Sequence, residues 1–313
     1  DDPLAALVGN FFSTGMDQET IDSMGIRPLL PHFDAIDKVA SREELLEQII
    51  VFFRMGIPGL FHLFPSPDRE DSKHMIGNFY QGGIGLPEVE YYREKDERSE
   101  KIRERYRTYV RTMFTLAGFQ REKAEKYAST VLSMETRLAG ASMTLLERRD
   151  PHATFHKMTP AAFNDETPAI DWVYFLDHLQ IPSDEHINVS QPIFFREVSQ
   201  MIEQMPLEDW QIYLKWKLLN ASAPLLSSEL EEERFEFYGK FLSGKAVMQP
   251  RWKRVTSLTE AAVGEALGKL FVKKYFPPEA KERMLKLVEN LREALRERIL
   301  ALDWMSEKTK EEA

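Results

Sequence analysis

Cysteine is absent from the 313 residues. Thiolate nucleophiles, disulfides and zinc–thiolate sites are therefore excluded, and a metal could be held only by histidine and carboxylate. Seven histidines are available: His32, His62, His74, His152, His156, His178 and His186. Among them His152 and His156 have the i,i+4 spacing that sets two imidazoles on one face of a helix. A zinc-peptidase helix also needs a glutamate beside the first histidine as general base. That position is Ala153, and Pro151 and Pro160 bracket a segment too short for a helix. The pair reads as a surface loop after a helix end. Asp184-Glu185-His186 reads as a polar cluster in a Pro-rich loop.

Phosphate chemistry finds no better support. Gly264-Glu265-Ala266-Leu267-Gly268-Lys269 is one residue short of a phosphate loop. Leu270 stands where Ser or Thr would bind the cation, and no strand precedes it. Glycines at i and i+4 are expected instead to allow close helix packing. Gly82-Gly83-Ile84-Gly85 lacks the strand–turn–helix setting of a dinucleotide site and is expected to let the backbone turn tightly. No Gly-x-Ser-x-Gly elbow occurs. The sequons at Asn188-Val189-Ser190 and Asn220-Ala221-Ser222 read as chance occurrences. Phe235, Phe237, Tyr238 and Phe241 have helical spacing and read as core. No catalytic residue and no metal ligand is assigned, so the chain is expected to hold no complete active site.

The elements that would carry these residues are mostly helical. Ser41, with Glu44 three residues on, forms a capping box for a helix that buries Leu45, Leu46, Ile49, Ile50 and Phe53. It is expected to end near Gly56, since Pro58 and Gly59 cannot continue it. Leu60–Phe64 and His74–Tyr80, separated by a Pro-rich turn, predict a small β-hairpin. Long helices are expected over residues 96–116 and 121–149, antiparallel because their link is short. Residues 150–190 are Pro-rich, with one short helix near Trp172–Leu179. Helices follow at about 191–203, 207–219, 224–242, 252–275 and 279–300. Ser306 caps a last helix at which the sequence stops, which reads as a chain cut short. The predicted class is mainly α: a multi-helix lobe with long antiparallel helices and one small β-hairpin.

Composition narrows the function classes. The 41 Lys and Arg against 51 Asp and Glu give a net charge of −10. That balance argues against nucleic acid, which needs clustered cations. Hydrophobic residues at 43% provide for a real core. No apolar run reaches the ~18 residues of a membrane span. The opening Asp1-Asp2-Pro3-Leu4 has no basic start of a signal peptide.

Three stretches resemble the N-terminal region of the neprilysin family of zinc metalloendopeptidases. Gly85-Leu86-Pro87-Glu88-Val89-Glu90-Tyr91-Tyr92 is similar to the family's Gly-Leu-Pro-x-x-x-Tyr-Tyr. Arg251-Trp252-Lys253-Arg254, continuing through Ala261, Gly264, Gly268, Leu270 and Tyr275-Phe276, is similar to its Trp-Lys/Arg-Arg helix. Leu302-Asp303-Trp304-Met305-Ser306-Glu307-Lys308-Thr309-Lys310 is similar to its Leu-x-Trp-Met-x-x-x-Thr-Lys. Pro28-Leu29-Leu30 and His156-Lys157-Met158-Thr159 add weaker matches, and the order holds over essentially the whole chain.

The resemblance implies two largely helical lobes around a closed cavity, with zinc and the catalytic motifs in the other, larger lobe. This chain would be the smaller, cavity-covering lobe, which restricts substrates to peptides. Its implied partners are its own catalytic domain and peptide substrates, with no nucleic acid and no membrane span. Residues 1–95 are expected as a helical segment with the hairpin, 96–300 as the covering lobe, and 301–313 as the start of the connection to the catalytic domain. Gly85, Leu86, Pro87, Tyr91, Tyr92, Arg251, Trp252 and Arg254 are the candidate cavity or inter-lobe contacts. The lack of cysteine departs from the disulfide-rich animal members and points to a bacterial homologue, periplasmic, surface-anchored or secreted. The alternative is a stand-alone helical binding protein derived from that family. A nicked enzyme, whose catalytic fragment stays bound as a separate chain, is a third reading.

Overall fold

The computed structural model describes residues 2–57, 59–183 and 185–313. Pro58, one of the two residues expected to prevent the helix from continuing, and the Asp184 member of the polar cluster lie outside the described residues. The chain forms two compact units, Asp1–Asp17 with Gln249–Ala313, and Gln18–Met248. The first begins with α1 (Pro3–Met16), started by Asp2, whose side chain accepts from Leu4 N at 3.0 Å.

The second unit opens with α2 (Gln18–Met24), α3 (Leu30–Asp37) and α4 (Arg42–Arg54). Ser41 caps α4 through Glu44 N, and Glu44 returns a carboxylate to Ala40 N rather than to Ser41. Leu45, Ile49, Ile50 and Phe52 are its buried apolar side chains, while Leu46 and Phe53 are partly covered. Gly56 at φ +68° turns the chain out of the helix.

The hairpin is present as β1 (Phe61–Pro67) and β2 (Met75–Gln81), paired antiparallel with Phe61 opposite Gln81. It belongs to a larger sheet. After α5 (Glu90–Arg93), α6 (Glu97–Leu116) and α7 (Arg121–Ala141) come β3 (Lys157–Met158), α8 (Pro160–Glu166), α9 (Trp172–His178) and β4 (Ile187–Val189). The strand order is β1-β2-β4-β3, with β4 parallel to β2 and antiparallel to β3. Strands of two and three residues are too short to leave a period in the sequence, so the hairpin alone was foreseeable. Asn188, fully buried, ties the sheet together by donating to Asn78 Oδ1 at 2.9 Å, Thr154 O and Ser190 Oγ. One face of the sheet meets a ring cluster in which Phe163 and Trp172 stack at 4.4 Å and Phe79 meets Trp172 edge-on at 5.0 Å.

α6 and α7 pack against each other as expected, and Arg107 and Arg111 of α6 share Glu125 of α7. α7 ends at Ala141, well before the expected residue 149. Its last carbonyls, Ala139 and Gly140, with that of Ser142, are taken by the guanidinium of Arg93. Beyond them, Gln81 pairs its side-chain amide with both backbone groups of Met143. These long-range bonds replace the helical ones.

α10 (Pro192–Gln204) and α11 (Leu207–Ser222) follow. The helix expected over 224–242 is divided. A 3₁₀ turn precedes α12 (Ser228–Arg234), and residues Phe235–Leu242 form wide π-helical turns. Phe237 is core, while Phe235, Tyr238 and Phe241 are only partly buried.

The chain then returns to the first unit with α13 (Arg251–Tyr275), α14 (Pro278–Leu300) and α15 (Glu307–Glu312). α1 crosses α13 where Gly15 faces Val255, so that a methyl at Gly15 would come within 2.7 Å of Val255 Cγ1. The close packing expected of Gly264 and Gly268 is not found: nothing lies within 4 Å of a Cβ at either. Instead, the backbone at Val263 leaves helical geometry and kinks α13 (φ −133°, ψ 31°). α14 buries none of its residues, and its Met284, Leu287, Leu291 and Leu295 are exposed. No helix among the described residues is long and apolar enough to cross a membrane.

Candidate functional site

The Gly82–Leu86 turn leaves β2 at Gln81 and runs between α11 and the π-helical turn. At Gly83 φ is +77°, the left-handed region that disfavours a side chain, and a Cβ would also lie 2.7 Å from Leu60 O. The Gly83 carbonyl accepts from Tyr213 Oη at 2.6 Å and from Lys217 Nζ at 3.2 Å. The Gly85 carbonyl accepts from Tyr238 Oη at 2.9 Å. The amides of Gly85 and Leu86 donate to Tyr92 Oη at 3.1 and 2.9 Å. Tyr92 Oη in turn donates to Glu135 Oε2 at 2.6 Å.

Glu135 lies on α7 and is fully buried. Its other oxygen accepts from Tyr106 Oη at 3.0 Å, and that hydroxyl accepts from Trp216 Nε1 at 3.0 Å. A side chain at Gly85 would collide with the Tyr106 hydroxyl. The Gly-Leu-Pro-x-x-x-Tyr-Tyr stretch thus has a physical basis. Gly85 admits Tyr106, Leu86 is buried, Pro87 sits exposed at the rim, and Tyr92 supplies the hydroxyl that holds two amides.

Burial pushes the Glu135 carboxyl above its usual range, opposed by the charge of Lys217 and by the hydroxyls of Tyr92 and Tyr106. Burial pulls Lys217 down, opposed by Glu135. Tyr92, Tyr106 and Tyr213 are pushed well up, chiefly by burial, and stay neutral donors.

Above this network opens a cleft of about 430 Å³. The Gln81–Leu86 turn forms its floor, and Arg148, Lys217, Asn220, Arg234 and Tyr238 are among its walls. Asn220 accepts from Tyr109 Oη at 2.7 Å and donates to Tyr238 Oη at 3.3 Å, so this sequon side chain is engaged in the wall. Arg148 donates to Tyr80 Oη at 3.1 Å. Arg234 lies over the Tyr238 ring at 5.1 Å, and its Nε is buried with no hydrogen-bond partner among the described residues.

The structure brings Gly85, Leu86, Pro87 and Tyr92 to this cleft or directly beneath it. Tyr91 belongs to another hollow, with Glu88, Leu145 and Arg149, and its carbonyl accepts from Arg103 at 2.6 Å. Arg251, Trp252 and Arg254 lie in the other compact unit, at the start of α13. There Arg251 Nε donates to Gly15 O at 2.9 Å, Arg254 donates to Gln249 O, and Trp252 is exposed.

Sequence reasoning did not single out Glu135, Arg148, Tyr213, Lys217 or Arg234. For Lys217 a signal existed. α11 buries consecutive residues from Ile212 to Leu219 with Lys215 and Lys217 among them, and a helix buried all round that still keeps lysines must give them partners. Glu135 has no such signal, because a lone glutamate in an amphipathic helix normally faces water.

The N-terminal model of peptidase family M13 matches residues 1–313. Mouse endothelin-converting enzyme 1 is 27% identical over 97% of the chain and 41% of its own length. The human enzyme is 30% identical over 87% of the chain and 36% of its own length. Among solved structures, the Mycobacterium tuberculosis zinc metalloprotease Zmp1 in its open state superposes with a TM-score of 0.87 at 34% identity. It is matched over 97% of the chain and 47% of its own length. PepO from Lactobacillus rhamnosis shares the fold, with a TM-score of 0.80 at 16% identity. The chain therefore spans less than half the length of each of these relatives.

Zinc, which the Zmp1 name carries, does not fit the side chains present. Among the described residues no three His, Asp or Glu converge on a point. The His156 ring is 3.1 Å from Val189 O, and His74 pairs with Asp71 alone at 2.8 Å on the surface.

Proposed function

Since this chain belongs to peptidase family M13, we propose that it is the N-terminal helical region of a zinc metalloendopeptidase, enclosing the active-site cavity and restricting substrates to peptides. The observation that carries this reading is the match of 97% of the chain to 47% of Zmp1 at a TM-score of 0.87. In this role the chain acts sterically. It keeps folded proteins out and holds water away from a peptide bound against the catalytic half, which carries the zinc and every catalytic group. By itself the chain is inactive.

Two surfaces support a missing neighbour. The exposed apolar stripe of α14 through Met284, Leu287, Leu291 and Leu295 is wider than scattered surface leucines explain. Trp252 and Trp304 are also large exposed aromatics. We assign both to contact with the rest of the polypeptide, together with Arg251 and Arg254. The Gly85–Tyr92 segment is assigned to the cavity side. The absence of cysteine favours a periplasmic, cell-surface or secreted bacterial protein.

The test is an assay of the complete polypeptide that contains this chain. One peptide is offered free and again as a loop of a folded protein, with and without a metal chelator. The free peptide should be cut, the folded protein spared, and the chelator should abolish cutting. The 313-residue chain alone should cut neither. Equal cleavage of both forms removes the steric role. Cleavage by the chain alone, or none by the complete polypeptide, removes the reading.

A further inference from the structure

The cleft over the Gly82–Leu86 turn is positively charged inside a chain of net charge −10. Its lining includes Arg148, Lys217 and Arg234, and among the described residues no aspartate or glutamate lines it. The nearby carboxylate, Glu135, is sealed below the floor, with both oxygens taken by tyrosine hydroxyls. Lys217 is only 7% exposed yet reaches the cleft, and its one hydrogen bond, to Gly83 O, leaves two N–H donors unused. Its Nζ also lies 5.7 Å from the centroid of the Tyr213 ring, which carries no formal charge. The buried Nε of Arg234 has no hydrogen-bond partner among the described residues, and its guanidinium lies over the Tyr238 ring. Arg148 touches only neutral groups, the Thr144 carbonyl and the Tyr80 hydroxyl and ring.

Lys217 has Glu135 as a carboxylate below the floor, but Arg148 and Arg234, with unfilled donors, face the same hollow of about 430 Å³ and leave an unbalanced charge there. Burying such charge is unfavourable without a counter-charge, and planar guanidinium groups match a carboxylate in two-point geometry. We propose that this cleft is a carboxylate-binding site, in which Arg148, Lys217 and Arg234 receive an acidic group of a peptide. The carboxylate is either an Asp or Glu side chain or the peptide's own C-terminus. The choice of a peptide as its bearer rests on the function proposed above, whereas the demand for an anion rests on the cleft alone.

The test is binding to the 313-residue chain by titration calorimetry, with folding of every variant checked by circular dichroism and melting. The probes are short blocked peptides identical except for Glu or Gln at one position, each with a free or amidated C-terminus, and inorganic phosphate for comparison. Peptides with a carboxylate should bind at least roughly tenfold tighter than the uncharged peptide, and the advantage should shrink as salt rises. Whether the Glu or the free C-terminus provides it decides the source. Arg148→Gln and Arg234→Gln, both on partly exposed residues, should each remove most of the advantage without loss of fold. Lys217→Met should do so too, but the two arginine variants carry the test if that protein does not fold. Equal binding of charged and uncharged peptides overturns the proposal, as does phosphate binding without discrimination among the peptides, or an advantage that survives both arginine changes. Because no cleavage is measured, these outcomes are independent of whether the complete polypeptide proves to be a peptidase.

Discussion

Tyr92 and Glu135 meet at 2.6 Å, hydroxyl to carboxylate, while the same hydroxyl accepts the amides of both Gly85 and Leu86. The cleft floor is therefore suspended from one phenol, itself anchored to a buried acid on α7. Removing that oxygen with Tyr92→Phe strands two amides and one carboxylate oxygen away from water. We expect a loss of about 3 kcal/mol in the unfolding free energy of the chain, read by urea denaturation. A loss below about 1 kcal/mol would mean that water takes over these bonds.

The acid itself should reveal its burial through pH. Its folded value lies above the ordinary 4.5, so the folded chain keeps this proton to higher pH than the unfolded chain does. The resulting stabilisation is complete below the unfolded value and is lost as pH rises through the folded one. Glu135→Gln cannot titrate. The stability of the natural chain relative to this variant should therefore fall from about pH 4.5 upward toward neutrality. A difference that widens over that range would contradict the assignment.

The two glycines of the turn should respond differently to a methyl group. At Gly85 the obstacle is the Tyr106 side chain, chiefly its hydroxyl. At Gly83 it is positive φ and the fixed carbonyl of Leu60. Gly83→Ala and Gly85→Ala should each cost about 2–3 kcal/mol. Adding Tyr106→Phe should relieve part of the Gly85→Ala cost and none of the Gly83→Ala cost, as a double-mutant cycle on melting will show.

Leu291 on α14 is 61% exposed. Leu291→Glu should leave the stability of the chain within about 0.5 kcal/mol. In the complete polypeptide, where this stripe is proposed to be covered, the same change should lower the melting temperature and peptide turnover. Arg251→Ala with Trp252→Ala should act likewise there. Unchanged melting and kinetics in the complete polypeptide would remove these surfaces from the proposed contact.

Asn188 has no exposed surface, and its amide donates to three acceptors. Asn188→Ala should destabilise by about 2–3 kcal/mol through the unpaired groups left in the sheet.

Local chemistry was legible from the chain alone. Capping at Ser41, the long helices from Glu97 and Arg121, the hairpin, and the glycine turn all depend on residues within a few positions of one another. The Gly-Leu-Pro-x-x-x-Tyr-Tyr stretch could be recognised but not explained. Its reasons lie 21 residues beyond Gly85 at Tyr106, 43 beyond Tyr92 at Glu135 and 153 beyond Gly85 at Tyr238. The early end of α7, the strands β3 and β4 and the burial of Asn188 likewise depend on groups far along the chain. Periodicity records which face of an element is apolar. It carries no record of which distant carbonyl a buried lysine or arginine will meet. In this protein the sequence by itself determined the helical class and the family. Only the tertiary structure decided that Lys217, Arg148 and Arg234 share one cleft, because desolvated charges acquire partners only when the whole unit closes around them.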